Sequence, residues 1–165
     1  MKEAMQAALD VSILLATLFT GVVAGLFFAF SCSVMPALGR TRDEVLVEVM
    51  QRINVAILNF WFFLFFMGAL LATATSVVLH TVLGGGEAYP QVIAGFVLYL
   101  AVVVVTRVFN IRLNDELARA EDLTDTHDVG RVRLRFEAPW NRWNNVRTVL
   151  SMAAFLSMIW AVWLM

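Results

Sequence analysis

The sequence predicts an all-α fold, a four-transmembrane-helix bundle with short amphipathic helices in its cytoplasmic loops. Three observations carry this. The 165 residues are 61% hydrophobic, against roughly 45–50% in soluble domains. The charges gather in two segments and leave four long runs almost free of them, as polytopic membrane proteins do. Eleven of the 12 Lys/Arg residues fall within 31–59 and 107–147, with Lys2 alone elsewhere. Four spans put both segments on one side, and the positive-inside rule makes that side cytoplasmic. The expectation is one membrane domain over 1–165 in the inner or plasma membrane, with both termini outside. The spans fall at about 11–35, 58–80, 91–110 and 146–165.

The first span opens on a charge-free apolar run, Val11 to Phe30. That run is longer than a signal-peptide core, so it reads as retained. Thr17, Gly21, Gly25 and Ala29 recur every fourth residue, the small-residue spacing that lets membrane helices approach closely. Pro36 and Gly39 are expected to end this helix. Thr41 to Val55 reads as an amphipathic piece, with Thr41 and Glu44 forming a capping box. Trp61 opens the second span at the interface, and Gly68, Ala72 and Ser76 repeat the small-residue spacing. Gly84, Gly85 and Gly86 through Pro90 form a turn.

In the third span, Val102–Val105 favours strand locally. A strand would leave backbone groups unsatisfied in lipid, so a helix is expected. Arg107 can snorkel to the surface. The helix continues outward, with Arg107, Asn110 and Asn114 on one face. Ala118–Val129 reads as an acidic loop. Asp128 is placed to cap a short basic helix, Arg131–Phe136, and Pro139 to start or kink the next.

Three polar clusters therefore share the arginine-rich side. They are Gln51 with Asn54 and Asn59, Arg107 with Asn110 and Asn114, and Trp140 with Trp143, Asn144 and Arg147. The last four fall at i, i+3, i+4 and i+7, one helical face. The other side offers only His80, Glu87 and Tyr89. Indoles, carboxamides and guanidinium groups together could enclose a flat aromatic molecule and bond its oxygens. The same residue types also anchor helices at interfaces and bond helix to helix, so both readings stand at this point.

Other chemistries find little support. A net charge of −1 gives no basic excess for nucleic acid. No Glu has a His three residues on, as a di-iron bundle requires. His80 and His127 are expected on opposite sides, which disfavours a bis-histidine haem. Cys32 is the lone cysteine, so neither a disulfide nor a thiolate metal site is indicated. No phosphate-binding glycine loop occurs. The expectation is no cofactor and no metal.

Met35-Pro36, Gln51-x-Ile53-Asn54, Asn110-x-x-Leu113-Asn114 and Trp140-x-x-Trp143-Asn144-x-Val146-Arg147 occur in this order among the spans. In this the chain resembles the anthrone oxygenase-like family of small membrane proteins. The Trp-x-x-Trp-Asn-x-Val-Arg element is the most specific part. The resemblance implies a four-helix membrane bundle and oxidation of anthrones to anthraquinones by O2 without metal or flavin.

Such chemistry needs a base, an oxyanion donor and an aromatic slot. Arg147, Asn144 and Asn114 are the candidate catalytic residues. Trp140, Trp143, Asn110, Asn54 and Arg107 are the candidate substrate-binding residues. Glu137, Asp115 and His127 are the candidate bases. The expected partners are the bilayer, a lipophilic aromatic substrate and O2; a homo-oligomer is compatible with the sequence. The alternative is a non-catalytic membrane protein that binds a lipid or quinone, or serves as a subunit of a membrane assembly.

Overall fold

A computed structural model describes residues 1–120 and 126–165, the side chains of Thr126 and His127 excepted. Most of the expected acidic loop, and His127 as a base, lie outside the described side chains. Among the described residues every regular element is helical. They are α1 (Lys2–Ala29), α2 (Met35–Leu38), α3 (Asp43–Ala56), α4 (Phe60–Val82), α5 (Tyr89–Val105), α6 (Ile111–Ala118) and α7 (Thr126–Trp163). Two wide π-helical turns, Phe30–Val34 and Thr106–Asn110, join α1 to α2 and α5 to α6 without a break. Four helical runs are long and apolar enough to cross a membrane: Lys2–Leu38, Phe60–Val82, Tyr89–Ala118 and Asp128–Trp163. The protein is thus an all-α integral membrane protein, and the valine run Val102–Val105 is helical as expected.

The chain divides into two compact units. The first comprises Met1–Gly25, Phe60–Val102 and Val149–Met165. Here segments of four helices pack into a bundle around Leu9, Ile13, Ala16, Val92, Met158 and Ala161. Small residues admit close contact where the apolar outer faces gain nothing from burial. A methyl placed on Gly21 would lie 2.8 Å from the Phe155 ring, and one on Gly68 would lie 2.8 Å from Phe19. At Gly25 the same methyl would meet nothing within 4 Å, so only part of the expected small-residue stripe is a packing seam. Buried hydroxyls bridge the helices. Ser12 Oγ and Ser76 Oγ lie 2.8 Å apart, Tyr99 donates to the Phe66 carbonyl at 2.9 Å, and Ser157 donates to the Gln91 carbonyl at 2.8 Å. The turn after α4 needs glycine, since Gly84 and Gly85 have φ of 91° and 83°.

The second unit comprises Leu26–Asn59 and Val103–Thr148 and holds all eleven arginines. Its core is Met35, Leu46, Met50, Leu117, Phe136 and Trp140. Three local expectations change here. Pro36 does not stop the first helix; it sits in the first turn of α2, and the helical run ends at Gly39. The preceding turn is π-wide, with Met35 N–H donating to the Phe30 carbonyl. The wider winding removes the tight i−4 register in which proline would clash.

Thr41 does not cap α3. Its hydroxyl donates back to the Leu38 carbonyl at 2.7 Å, and Arg42 holds the cap position without a side-chain bond. Finally, the short basic helix and the fourth span are one element, because α7 runs unbroken through Pro139. Nearly two turns before the proline, Arg133 is held from outside. It donates to the carbonyls of Gly39 and Thr41 and to Asp43, each at 2.8 Å, and to Glu137 at 2.6 Å. That clamp fixes the helical turn whose ladder the proline weakens.

Candidate functional site

The second unit gathers most of the residues singled out from the sequence. On α7, Trp140, Asn144 and Arg147 are buried at i, i+4 and i+7. Asn144 is 1% exposed, and its amide nitrogen donates to the Phe27 carbonyl at 3.1 Å and to Ser31 Oγ at 2.8 Å. Ser31 Oγ also lies 3.1 Å from Thr148 Oγ1. These bonds tie α7 to the first helical run at its π turn. The Asn144 oxygen is left as an acceptor, and Arg147 Nε donates to it at 3.1 Å.

The guanidinium of Arg147 lies over apolar rings. Its carbon is 4.0 Å from the Phe27 ring centroid and 5.3 Å from that of Trp140. Arg147 is 8% exposed, and among the described residues it forms no ion pair. Its hydrogen bond to Asn144 runs through Nε. Ring faces supply some stabilisation to a cation, but a buried charge ordinarily carries an opposite charge. The arrangement is receptive to an oxyanion.

Beside it, Trp140 Nε1 donates to Asn114 Oδ1 at 2.9 Å. This fixes the indole that faces Arg147. One helical turn before Asn114 stands Asn110, 1% exposed, whose Oδ1 and Nδ2 both lack a partner among the described residues. Thr106 Oγ1 and Asn54 Nδ2 are buried without partners as well. Buried polar groups are nearly always bonded, and leaving one bare costs about 1–3 kcal/mol. Asn110 and Thr106 bound the π turn Thr106–Asn110, a type of turn common at functional sites.

Two expected members stand apart. Arg107 is exposed. The face predicted for Arg107, Asn110 and Asn114 assumed α-helical winding, and the π turn rotates Arg107 away. Trp143 is half-buried and stacks on Phe109, with centroids 3.6 Å apart and planes 7° from parallel. Of the proposed bases, Glu137 is engaged by Arg133 and Asp115 is exposed. Gln51 Nε2 donates to the Leu117 carbonyl and ties α3 to α6, and Asn59 Nδ2 donates to the Ala56 carbonyl within its own turn.

The family model for anthrone oxygenases matches residues 61–157. The chain belongs to the anthrone oxygenase family. The matched segment carries Asn110, Asn114, Trp140, Trp143, Asn144 and Arg147, and leaves Met35-Pro36 and Gln51 to Asn54 outside it. No curated protein and no solved structure matches the chain. Sequence reasoning missed Thr106, Ser31 and the Phe27 carbonyl. The polar interruption Ser31-Cys32-Ser33 within an apolar run was the available signal.

Proposed function

We propose that this membrane protein oxidises an anthrone-like or quinol-like aromatic with O2, using no cofactor, at the cytoplasmic mouth of its helices. The observation that carries the reading is the buried guanidinium of Arg147, against the Phe27 and Trp140 rings and without an ion pair among the described residues. In this reading Arg147 holds the oxygen of the substrate enolate, which makes the ring methylene conjugated to that oxygen more acidic. Asn144 aims the guanidinium, and Asn114 positions Trp140. Asn110 and Asn54 offer amide groups to the carbonyl and phenols. The aromatic face of Trp140 lines the approach, and Trp143, stacked on Phe109, borders it.

The methylene loses one proton to water, and the electron-rich enolate reduces O2. A carbon–oxygen bond forms, and the resulting peroxide anion takes one proton back from water to give a hydroperoxide at that carbon. Loss of water then breaks the O–O bond, takes the remaining C–H proton and leaves a carbonyl. One oxygen atom enters the product and the other leaves as water. The site needs to stabilise anionic charge and exclude bulk water, and both needs suit a buried guanidinium.

The test is O2 uptake by the purified protein with added anthrone. Wild type is expected to consume one O2 per anthrone. Arg147→Ala is expected to lose about 100-fold or more in kcat, the usual cost of removing an oxyanion donor. Trp143→Ala should fall less. Unchanged turnover in both variants would contradict the proposal and favour a binding or subunit role.

A further inference from the structure

The first unit carries a second polar feature that the oxidation chemistry does not use. Along one face of α1 stand Lys2, Gln6 and Asp10, at intervals of four. With His80 and the turn after α4 they line a cleft of about 320 Å³. Gln6 Nε2 donates to Asp10 Oδ1 at 3.0 Å. Gly85 N–H closes on the His80 carbonyl at 2.7 Å, and Gly86 passes beside the imidazole. One face of that ring lies against Tyr89, centroids 5.5 Å apart, and the Tyr89 hydroxyl is bonded to Thr81.

His80 is 6% exposed, and neither of its ring nitrogens has a partner among the described residues. A neutral imidazole has one N–H and one lone pair. An occupant that satisfies both must donate at one point and accept close by. The walls repeat that demand in charge. Asp10 and Glu87 are acidic, and Lys2 is basic. Leu9, Ile13 and Leu83 supply apolar sides, as an amphiphile requires.

We propose that this cleft binds a zwitterion with a primary ammonium and a phosphate a few atoms apart, the chemistry of an ethanolamine phosphate. The ammonium donates to Asp10 and to the imidazole lone pair. The phosphate accepts from the imidazole N–H and pairs with Lys2. A trimethylammonium group has no N–H to donate, and a glycerol headgroup has no cation, so both are discriminated against. This inference is independent of the oxidation proposed above.

The full chain in detergent, labelled with 13C at histidine Cε1, is titrated with dihexanoyl phosphatidylethanolamine, phosphatidylcholine, phosphatidylglycerol and free phosphoethanolamine. The His80 signal is assigned by its loss in His80→Asn. The ethanolamine lipid is expected to shift that signal saturably, at least tenfold tighter than the choline and glycerol lipids. Asp10→Asn should weaken it tenfold or more. Saturation by free phosphoethanolamine at equal affinity assigns the site to the soluble zwitterion, and preference for the lipid assigns it to a headgroup. Equal response to all three lipids, no response to any, or unaltered affinity in Asp10→Asn overturns the proposal.

Discussion

Arg147 and Asn110 have opposite problems with one solution. Among the described residues the guanidinium is a buried donor without an anion, and the Asn110 carboxamide is a buried donor and acceptor without a partner. Structural residues in a membrane bundle are bonded to their own protein, as Asn144 is to Phe27 and Ser31. Asn110 therefore behaves as a residue kept for something other than stability. Asn110→Leu, similar in shape and free of polar atoms, is expected to leave the thermal midpoint unchanged or raise it by about 1 kcal/mol of stability. The KM for an anthrone should rise about tenfold. A clear fall in stability, measured by thermal unfolding in detergent, would show that the amide is structurally satisfied. The α7 face was legible because Trp140, Asn144 and Arg147 obey simple helical spacing. Thr106, Ser31 and the Phe27 carbonyl were not, since hydroxyls and main-chain acceptors leave no periodic trace.

Among the elements, the departures at Pro36 and Arg107 share a cause. Both π turns sit in otherwise continuous helices, and each changes which residues face inward. Helical periodicity read across such a turn puts Arg107 on the wrong side. Pro139 misleads for a different reason: a local breaking signal is overridden by contacts distant in sequence. Arg133 supplies those contacts and is only 14% exposed along its side chain. Arg133→Ala would leave Glu137 without its partner and the Gly39 and Thr41 carbonyls without donors. The expected loss is about 2 kcal/mol, from charge-assisted hydrogen bonds, read as a lower thermal midpoint. Unchanged stability would show that α7 passes Pro139 unaided.

For the whole molecule, composition and charge distribution sufficed to predict an all-α membrane protein with four spanning runs, because the bilayer admits few alternatives. All the arginines collect in one unit, which supports a cytoplasmic location for its loops. With Cys32→Ser as background, Arg42→Cys and Arg119→Cys are expected to resist an impermeant maleimide in intact cells and to react in inside-out vesicles. Reaction of either from outside would contradict that orientation. The central claim is narrower: Arg147 stabilises an oxyanion on a bound aromatic. The most direct measurement is the visible absorption of a bound hydroxyanthraquinone as pH is varied, compared between wild type and Arg147→Met. The account predicts that the bound phenol ionises at least about one pH unit lower beside the guanidinium than in the variant. Identical ionisation in both proteins would contradict it.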